Sequence, residues 1–281
     1  DTDQVIKKIN KKTKAVFLTH AQGFNGLSEK LIKYLKRKKI PLIEDVCESH
    51  GAIYKNKKLG TYGLISNFSF YYAHHMSTIE GGMLCTNSKK IYELIKILRS
   101  HGMARESGNK IFEKKMQKKY NDLSPKFIFL HPSYNLRNTE LSAVIGINQL
   151  KRLTKNNQIR GRNFQYFLKN LNSKFYQVDF EMKGNSNYAF PLVLKEKNFK
   201  NRDLLENKMK KFGIEYRRGN AGGGNQLRQP YVKKYLNKLS FNSYPNVEHI
   251  HFFGYYIGNY PSLELNKIKT ICKILNEVPY E

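Results

Sequence analysis

Two adjacent histidines are the side chains of this chain best suited to proton transfer near neutral pH. His74 and His75 follow an apolar run, Phe68–Tyr72, and a Gly-Gly pair at 81–82 precedes a second apolar run, Met83–Cys85. Among side chains, imidazole has the ordinary pKa closest to neutrality. Reactive side chains are often held on a loop at the end of a buried strand. The alternative is that both histidines are surface residues of a polar turn.

Another apolar run, about thirty residues upstream of the two histidines, ends in a carboxylate. The segment Pro41-Leu-Ile-Glu-Asp45 is short and apolar until its last two residues. An Asp at the carboxyl end of a buried parallel strand lies where α/β proteins bind their ligands. In enzymes that use pyridoxal phosphate, such an Asp commonly pairs with the pyridinium nitrogen and makes the ring an electron sink. A buried Asp that caps a helix is the alternative.

Strands that alternate with helices would position these residues. Apolar residues recur at helical spacing in Leu27–Leu35 and in Ile91–Leu98, and Asn87 or Ser88 can cap the second helix. This alternation indicates a mostly parallel sheet in an α/β fold. The predicted strands are Ala15–His20, Leu42–Asp45, Asn67–Tyr72 and Met83–Thr86.

The second half of the chain reads as a loop, a helix and a smaller α+β unit. We expect a loop or short helical excursion over Glu106–Pro132 and a helix from Asn138 or Thr139 to Leu150. The polar, basic run Lys151–Arg162 is expected to lead into a second domain. The predicted division is therefore a large domain at 1–154 and a small C-terminal domain at 155–281. The predicted elements of the small C-terminal domain are strand Tyr188–Leu194 and helices Arg202–Phe212 and Leu263–Leu275.

Composition narrows the function classes. The chain has 281 residues, a net charge of +28 and three cysteines far apart in sequence. The charge alone would suit nucleic acid, but no zinc-finger, RRM or basic-region pattern accompanies it, so scattered solvated lysines are the preferred explanation. No C-x-x-C spacing indicates a zinc or iron–sulfur site, and no metal is expected. No apolar run of about 18 residues and no signal peptide is visible, which favours the cytoplasm over a membrane.

Five motifs in a fixed order resemble the sugar aminotransferase family typified by DegT, DnrJ and StrS. They are EDVCESHGA from Glu44, the SF pair at Ser69, EGGM from Glu80, RSHGMAR from Arg99 and YNLRNTELSAVIGINQL from Tyr134. The resemblance covers nearly all of the chain. It implies an aspartate-aminotransferase-like large domain of fold type I, with a mixed, mostly parallel sheet, and a small α+β C-terminal domain. It also implies a pyridoxal phosphate or pyridoxamine phosphate cofactor.

One position departs from the aminotransferases of that family. The residue five after the Ser of the SF pair is their Schiff-base lysine, and here it is His74. This pattern resembles the subgroup of GDP-4-keto-6-deoxy-D-mannose 3-dehydratases, without an iron–sulfur cluster. The resemblance implies a 3-dehydratase of a nucleotide-linked 4-keto-6-deoxyhexose, acting in deoxysugar and O-antigen (lipopolysaccharide) biosynthesis. A nucleotide-sugar aminotransferase, an iron–sulfur-type relative, an inactive fragment and a basic nucleic-acid binder are the alternatives.

The resemblance also implies roles for single residues. His74 would be catalytic. Local alternatives exist for each of the others, such as capping, packing or turn formation. The implied cofactor-binding residues are Asp45, Glu48, Ser69 and Asn135, and the implied substrate-binding residues are His101, Arg105, Glu215 and Arg217.

The remaining implications concern partners and the start of the chain. A GDP-hexose is the favoured substrate, glutamate the amino donor, and a homodimer is expected because related sites borrow Asn135 from a neighbouring subunit. The first residue is Asp1. By resemblance, a segment with a phosphate-binding loop and a ring-stacking aromatic residue would precede it, so the large domain is expected to be N-terminally incomplete.

Overall fold

A computed structural model describes residues 1–219, 221–235 and 241–278. Within them, helices and strands alternate through the first half of the chain, as the sequence predicts. The helices and strands are α1 Thr2–Lys8, β1 Val16–Thr19, α2 Glu29–Lys38, β2 Leu42–Asp45, β3 Ile53–Tyr54, β4 Lys57–Lys58, β5 Ile65–Ser69, β6 Gly82–Cys85, α3 Lys89–Arg99, α4 Lys110–Lys119, α5 Glu140–Asn170, β7 Ala189–Val193, α6 Phe199–Lys211, β8 Tyr216–Arg218, α7 Pro230–Tyr235, α8 Pro245–Phe253, β9 Gly254–Gly258 and α9 Leu265–Asn276.

The chain divides into two compact units. The first unit comprises residues 1–19, 26–47 and 59–151, and the second comprises residues 20–25, 48–58 and those from Arg152 onward. The second unit therefore takes two short segments from the N-terminal half. The division at residue 154 stays a prediction.

The first unit is built on a mixed four-stranded sheet of order β1-β2-β5-β6. Strands β1, β2 and β5 are parallel, and β6 runs antiparallel to β5. Ser28 caps helix α2 by accepting a hydrogen bond from the Leu31 amide, and α2 buries Leu31 and Leu35. This is the α/β architecture expected from the sequence, with a mostly parallel sheet.

A buried carboxylate anchors the loop that precedes β5 by accepting hydrogen bonds from its backbone amides. Glu44 of β2 is fully buried, and its two oxygens accept hydrogen bonds from the backbone amides of Gly60 (2.8 Å), Tyr62 (2.7 Å) and Gly63 (2.5 Å). A buried charge needs such partners, because its desolvation is otherwise costly. Glu44 thus ties the 60–63 loop to the strand that also carries Asp45.

We expect Glu44→Gln to lower the free energy of unfolding by about 1–3 kcal/mol, because the new amide turns N–H groups toward amides that need an acceptor. Thermal or urea unfolding measures the loss. Glu29→Gln is the matched control, since Glu29 lies on the surface in an ion pair with Lys33 and such pairs contribute little. Equal stability of the two variants would contradict the role of Glu44.

The second unit packs helices against a three-stranded antiparallel sheet of order β7-β9-β8. Its core includes Phe164 and Phe167 of α5, and Phe167 stacks on Phe190 of β7 with ring centroids 4.5 Å apart. Leu205 of α6 and Ile268 of α9 complete the same fully buried cluster. Helices on an antiparallel sheet give the small α+β unit that the sequence predicts.

Two polar segments in the middle of the chain are helical. The run Lys151–Arg162 is part of the 31-residue helix α5, within which the second unit begins at Arg152. Lys, Arg and Gln have good helix propensity, and no proline interrupts them. The segment Glu106–Pro132, expected to be a loop or a short helical excursion, contains the 10-residue helix α4 with Asn109 as its N-cap. The N-caps Ser88 and Thr139 were predicted and are confirmed by their hydrogen bonds to the amides of Ile91 and Ser142.

Candidate active site

The carboxyl ends of three parallel strands meet at one edge of the sheet in the first unit. Thr19 of β1 is in register with Asp45 of β2, and Asp45 is in register with Asn67 of β5. In open α/β sheets, ligands bind outside the carboxyl ends of the strands. The register therefore brings a hydroxyl, a carboxylate and an amide together at the expected edge.

The two oxygens of Asp45 differ in their surroundings. Oδ1 accepts hydrogen bonds from Asn67 Nδ2 at 2.8 Å and from the Cys47 amide at 3.1 Å. Oδ2 has one longer contact within the described parts of the chain, from the Thr19 hydroxyl at 3.4 Å. One oxygen is thus fixed in place, and the other keeps acceptor capacity for a positively charged group.

His74 lies in the turn that follows β5. Its amide donates to the Tyr71 carbonyl at 3.1 Å, and its ring stands edge to face with the Tyr71 ring at 5.9 Å. Burial lowers the pKa of His74 below its ordinary value, and the negative charge of Asp45 partly opposes that shift. The imidazole is therefore neutral at pH 7, as a base must be. The histidine turn follows β5, and Asp45 ends the parallel neighbouring strand β2, so both lie at the same edge of the sheet.

Ser69 is the last residue of strand β5, directly before the segment that forms the histidine turn. It pairs with Gly82 across the β5–β6 ladder, and its hydroxyl accepts a hydrogen bond from the Tyr71 amide at 3.3 Å. A serine hydroxyl can accept that bond and still donate to a phosphate oxygen. The local contact and the predicted phosphate contact are therefore compatible.

The other predicted residues of the first unit lie on the segment after α3. Asn135 forms an isolated bridge with Ser100 and is exposed. His101 adopts a left-handed conformation with φ of 59°, and its amide donates to the Tyr134 carbonyl at 2.9 Å. A non-glycine residue in this conformation is uncommon and costs free energy. The bridge and this backbone hydrogen bond hold His101 and Asn135 on adjacent segments.

Arg105 is engaged locally. Its Nη1 donates to the Lys126 carbonyl at 3.0 Å, and its guanidinium lies over the Phe127 ring at 5.2 Å. It also contacts Glu106 at 3.4 Å. His101, but not Arg105, lines a cavity of about 400 Å³ whose other walls are the run from Phe129 to Ser133. A sequence-based search does not find these cavity walls, because the run carries no recognisable motif.

Glu48 belongs to the second unit and is held by two donors. Its Oε2 accepts from the Gln22 amide at 2.7 Å, and its Oε1 accepts from the Tyr188 hydroxyl at 3.0 Å. Burial, and then the negative charge of Glu48, raise the pKa of Tyr188 far above its ordinary value, so the phenol stays protonated and donates. Glu48 lies in a turn, so the alternative of a carboxylate on a helix surface is wrong. Sequence patterns give no signal for Gln22 or Tyr188, which lie far from Glu48 along the chain.

Glu215 and Arg217 form an exposed ion pair at 2.8 Å, with Arg217 on strand β8. The glycine-rich loop that follows is anchored by His251, whose Nδ1 accepts from the Asn225 amide at 3.2 Å. Burial, and then the positive charge of Arg228, lower the pKa of His251 below its ordinary value. A neutral imidazole at this position preserves the acceptor that the loop needs. Asn220 of this loop lies outside the described residues.

The donor set of the first unit fits a pyridoxamine or pyridoxal phosphate. Such a cofactor needs an anionic partner for its protonated ring nitrogen, and Asp45 offers one oxygen that is only weakly engaged. It needs a base near its reactive carbon, and His74 is a half-buried neutral imidazole influenced by Asp45. It also needs phosphate donors, and the Ser69 hydroxyl retains its proton for that purpose.

Comparison with known proteins identifies the family. A profile of the DegT/DnrJ/EryC1/StrS aminotransferase family matches residues 1–276. The chain belongs to this family. It is 33% identical to GDP-4-keto-6-deoxy-D-mannose 3-dehydratase of Yersinia pseudotuberculosis, over 99% of this chain and 70% of that protein.

Solved structures show the same fold. The structure of the Escherichia coli GDP-4-keto-6-deoxy-D-mannose 3-dehydratase with bound hydrated PLP has a TM-score of 0.86 and 30% identity, covering 98% of this chain and 70% of that one. A structure of a 3-dehydratase of the same name holds a trapped PLP-glutamate geminal diamine and has a TM-score of 0.85 and 29% identity, covering 98% of this chain and 71% of that one. The predicted family and aminotransferase-like fold are therefore confirmed.

Within residues 1–219, 221–235 and 241–278, no group of three or more His, Cys, Asp or Glu side chains is arranged to hold a metal ion. Among the helices of those same ranges, none combines the length and apolar character of a membrane span.

Proposed function

We propose that this chain is a 3-dehydratase of a GDP-linked 4-keto-6-deoxyhexose that depends on pyridoxal phosphate and its amine form. The observation that carries the proposal is a half-buried imidazole, His74, at the position where family aminotransferases have lysine, in the turn that follows the strand next to the one ending at Asp45. The relatives named above support the choice of a GDP-sugar and of glutamate as the amino donor. An enzyme that makes nucleotide-linked deoxysugars for lipopolysaccharide would work in the cytoplasm.

The proposed mechanism divides the work between the cofactor and this chain. When bound, pyridoxamine phosphate supplies an amino group that can join the 4-keto carbon of the sugar and a ring that accepts electrons. Asp45 would accept a hydrogen bond from the protonated ring nitrogen through Oδ2, and its negative charge would keep that nitrogen protonated, the form in which the ring accepts electrons. Ser69 donates its hydroxyl proton to the phosphate.

His74 moves the proton on which the reaction depends. With the cofactor bound, an imidazole nitrogen of His74 would accept the proton from the carbon next to the amino group, and the imidazolium would return a proton to the hydroxyl that leaves sugar C3 as water. Because imidazole cannot hold the cofactor covalently as a lysine amine does, the amine form of the cofactor stays available. Loss of oxygen, rather than gain of nitrogen, is the expected outcome for the sugar.

Substrate contacts follow from the resemblance and stay predictions. His101 and Arg105 are proposed to bind substrate or amino donor, and guanidinium suits carboxylate or phosphate. The roles of Glu48 in cofactor binding and of Glu215 and Arg217 in substrate binding have the resemblance as their support.

A homodimer is part of the proposal. The first turns of helix α5, together with Leu136 just before it, expose a row of apolar side chains with exposed fractions of 57–77% at Leu136, Leu141, Val144, Ile147 and Leu150. Such a continuous apolar surface is unusual for a monomer and favours a partner. Asn135 borders this surface, which suits its predicted role at the site of a second copy. Light scattering during size-exclusion chromatography would contradict this proposal by showing a monomer at micromolar concentration.

Product analysis tests the proposed reaction. The purified chain is incubated with GDP-4-keto-6-deoxymannose, pyridoxal phosphate and glutamate, and the sugar products are identified by mass spectrometry. A 3-deoxy sugar is expected. A 4-amino sugar would instead support the aminotransferase alternative, and cofactor absorbance without any product would support an inactive fragment.

The pH dependence of that reaction follows from His74. Because burial lowers the pKa of His74 below 6.5, the base is neutral above that lowered pKa and activity is lost as the pH falls through it. We expect the acid limb of kcat/KM to have its midpoint below pH 6.5. Rates measured in overlapping buffers of constant ionic strength give this midpoint, and an acid limb above the ordinary pKa of imidazole would count against His74 as the base.

A further inference from the structure

Asn67 makes its strongest contacts with the turn that carries Asp45. It is half-buried on β5, in register with Asp45 on the neighbouring strand. One amide hydrogen is directed to Asp45 Oδ1, with nitrogen and oxygen 2.8 Å apart, and the same nitrogen lies 3.2 Å from Cys47 Sγ. Both donors of the side chain are therefore used, which fixes the orientation of the amide.

The same turn supplies a second donor to the same oxygen. The Cys47 amide donates to Asp45 Oδ1 at 3.1 Å, as in an Asx turn. Two donors on Oδ1 leave little freedom for rotation of the carboxylate. Its other oxygen, Oδ2, has only the longer contact from Thr19 among the described residues. The orientation of Oδ2 is thus set by groups that bind its partner oxygen.

We propose that Asn67 is a positioning residue for Asp45, which fixes Oδ1 so that Oδ2 receives the protonated ring nitrogen of the cofactor. This inference rests on the proposed function, because it concerns the same cofactor. Asn67 acts through Asp45.

The side-chain type suits this role on electrostatic grounds. A lysine at this position would neutralise Asp45 and repel a protonated ring nitrogen, whereas a carboxylate would repel Asp45 itself. A neutral amide donates to the carboxylate without either effect. The full negative charge of Asp45 therefore remains available to the ring.

An isosteric pair of variants tests the inference. Asn67→Val and Asn67→Thr have nearly the same shape and both favour strands, but only the threonine hydroxyl can donate to Asp45. Two quantities are measured on each purified protein with pyridoxal phosphate: the dissociation constant from absorbance, and the pH at which the bound ring nitrogen loses its proton. We expect Asn67→Val to weaken binding by roughly tenfold or more, since a hydrogen bond to a charged group is lost. The loss of the ring proton should move to lower pH, with Asn67→Thr between Val and wild type.

The control separates positioning from stability. Ser66→Ala alters the neighbouring buried residue of β5, which is in register with Glu44 instead of Asp45, and should change the melting temperature without moving either cofactor readout. If both Asn67 variants bind and titrate like wild type, or if Val and Thr are equally impaired, the inference is overturned. If the wild-type chain itself binds no pyridoxal phosphate, the proposed function fails first, which is a different result.

Discussion

His74→Lys is expected to lower the rate of 3-dehydration by roughly 10²–10⁴-fold, which is the usual contribution of a positioned general acid or base. The lysine amine has an ordinary pKa far above neutrality, so a free lysine at this position would be protonated at pH 7 and could not accept the proton. Bound to the aldehyde of pyridoxal phosphate, the same amine would hold the cofactor covalently and remove the free amine form. Mass spectrometry of the sugar products measures the loss of the 3-deoxy product.

A second variant separates the two causes of that loss. His74→Asn removes the base without adding an amine, so it should lose dehydration while leaving cofactor binding reversible. Absorbance spectra before and after gel filtration distinguish a covalently held cofactor from a dissociable one. Unchanged removal of the C3 oxygen in both variants would refute the assignment of His74 as the base.

The sequence predicts the elements of the first unit well because each has a local signal. Leucines at helical spacing mark α2, and the structure begins that helix after Ser28, whose hydroxyl accepts a hydrogen bond from the Leu31 amide. An apolar run that ends in acid marks β2, and the structure places its end at Asp45. These signals lie within a few residues of the element they specify.

What the sequence did not predict depends on contacts between distant segments. Asn67 reads as an ordinary strand residue until the register with β2 brings it to Asp45. Tyr188 lies 140 positions from Glu48 along the chain and still donates to it. Glu44 reads as part of an acidic strand end, although its oxygens face the backbone amides of a loop. Alternation of strands and helices fixes none of these pairings, because register is decided by packing of the whole sheet.

The helix α5 shows a different limit. The polar, basic run Lys151–Arg162 gives little local sign of a helix, yet charged residues are good helix formers and the helix continues through Arg160 to the buried Phe164 and Phe167. A polar composition indicates that a segment is exposed to solvent, but it does not distinguish an exposed helix face from a loop. The few apolar positions on the other face decide the structure.

Asp45→Asn is expected to cause a second large loss of 3-dehydration activity. An amide cannot stabilise a protonated ring nitrogen as a carboxylate does, so turnover should fall by roughly 10²–10³-fold, the usual effect of losing one electrostatic contact in an active site.

A second readout of Asp45→Asn is the pKa of His74. The charge of Asp45 raises the pKa of that imidazole against the effect of burial, so removing the charge should lower the pKa of His74 further. Histidine-labelled NMR titration of the cofactor-free protein measures that pKa without catalysis. Asp122→Asn, on an exposed residue of the same unit, is the matched control. An unchanged His74 titration in Asp45→Asn would show that the two groups do not act on each other, and the proposed division of roles at the strand ends would then fail.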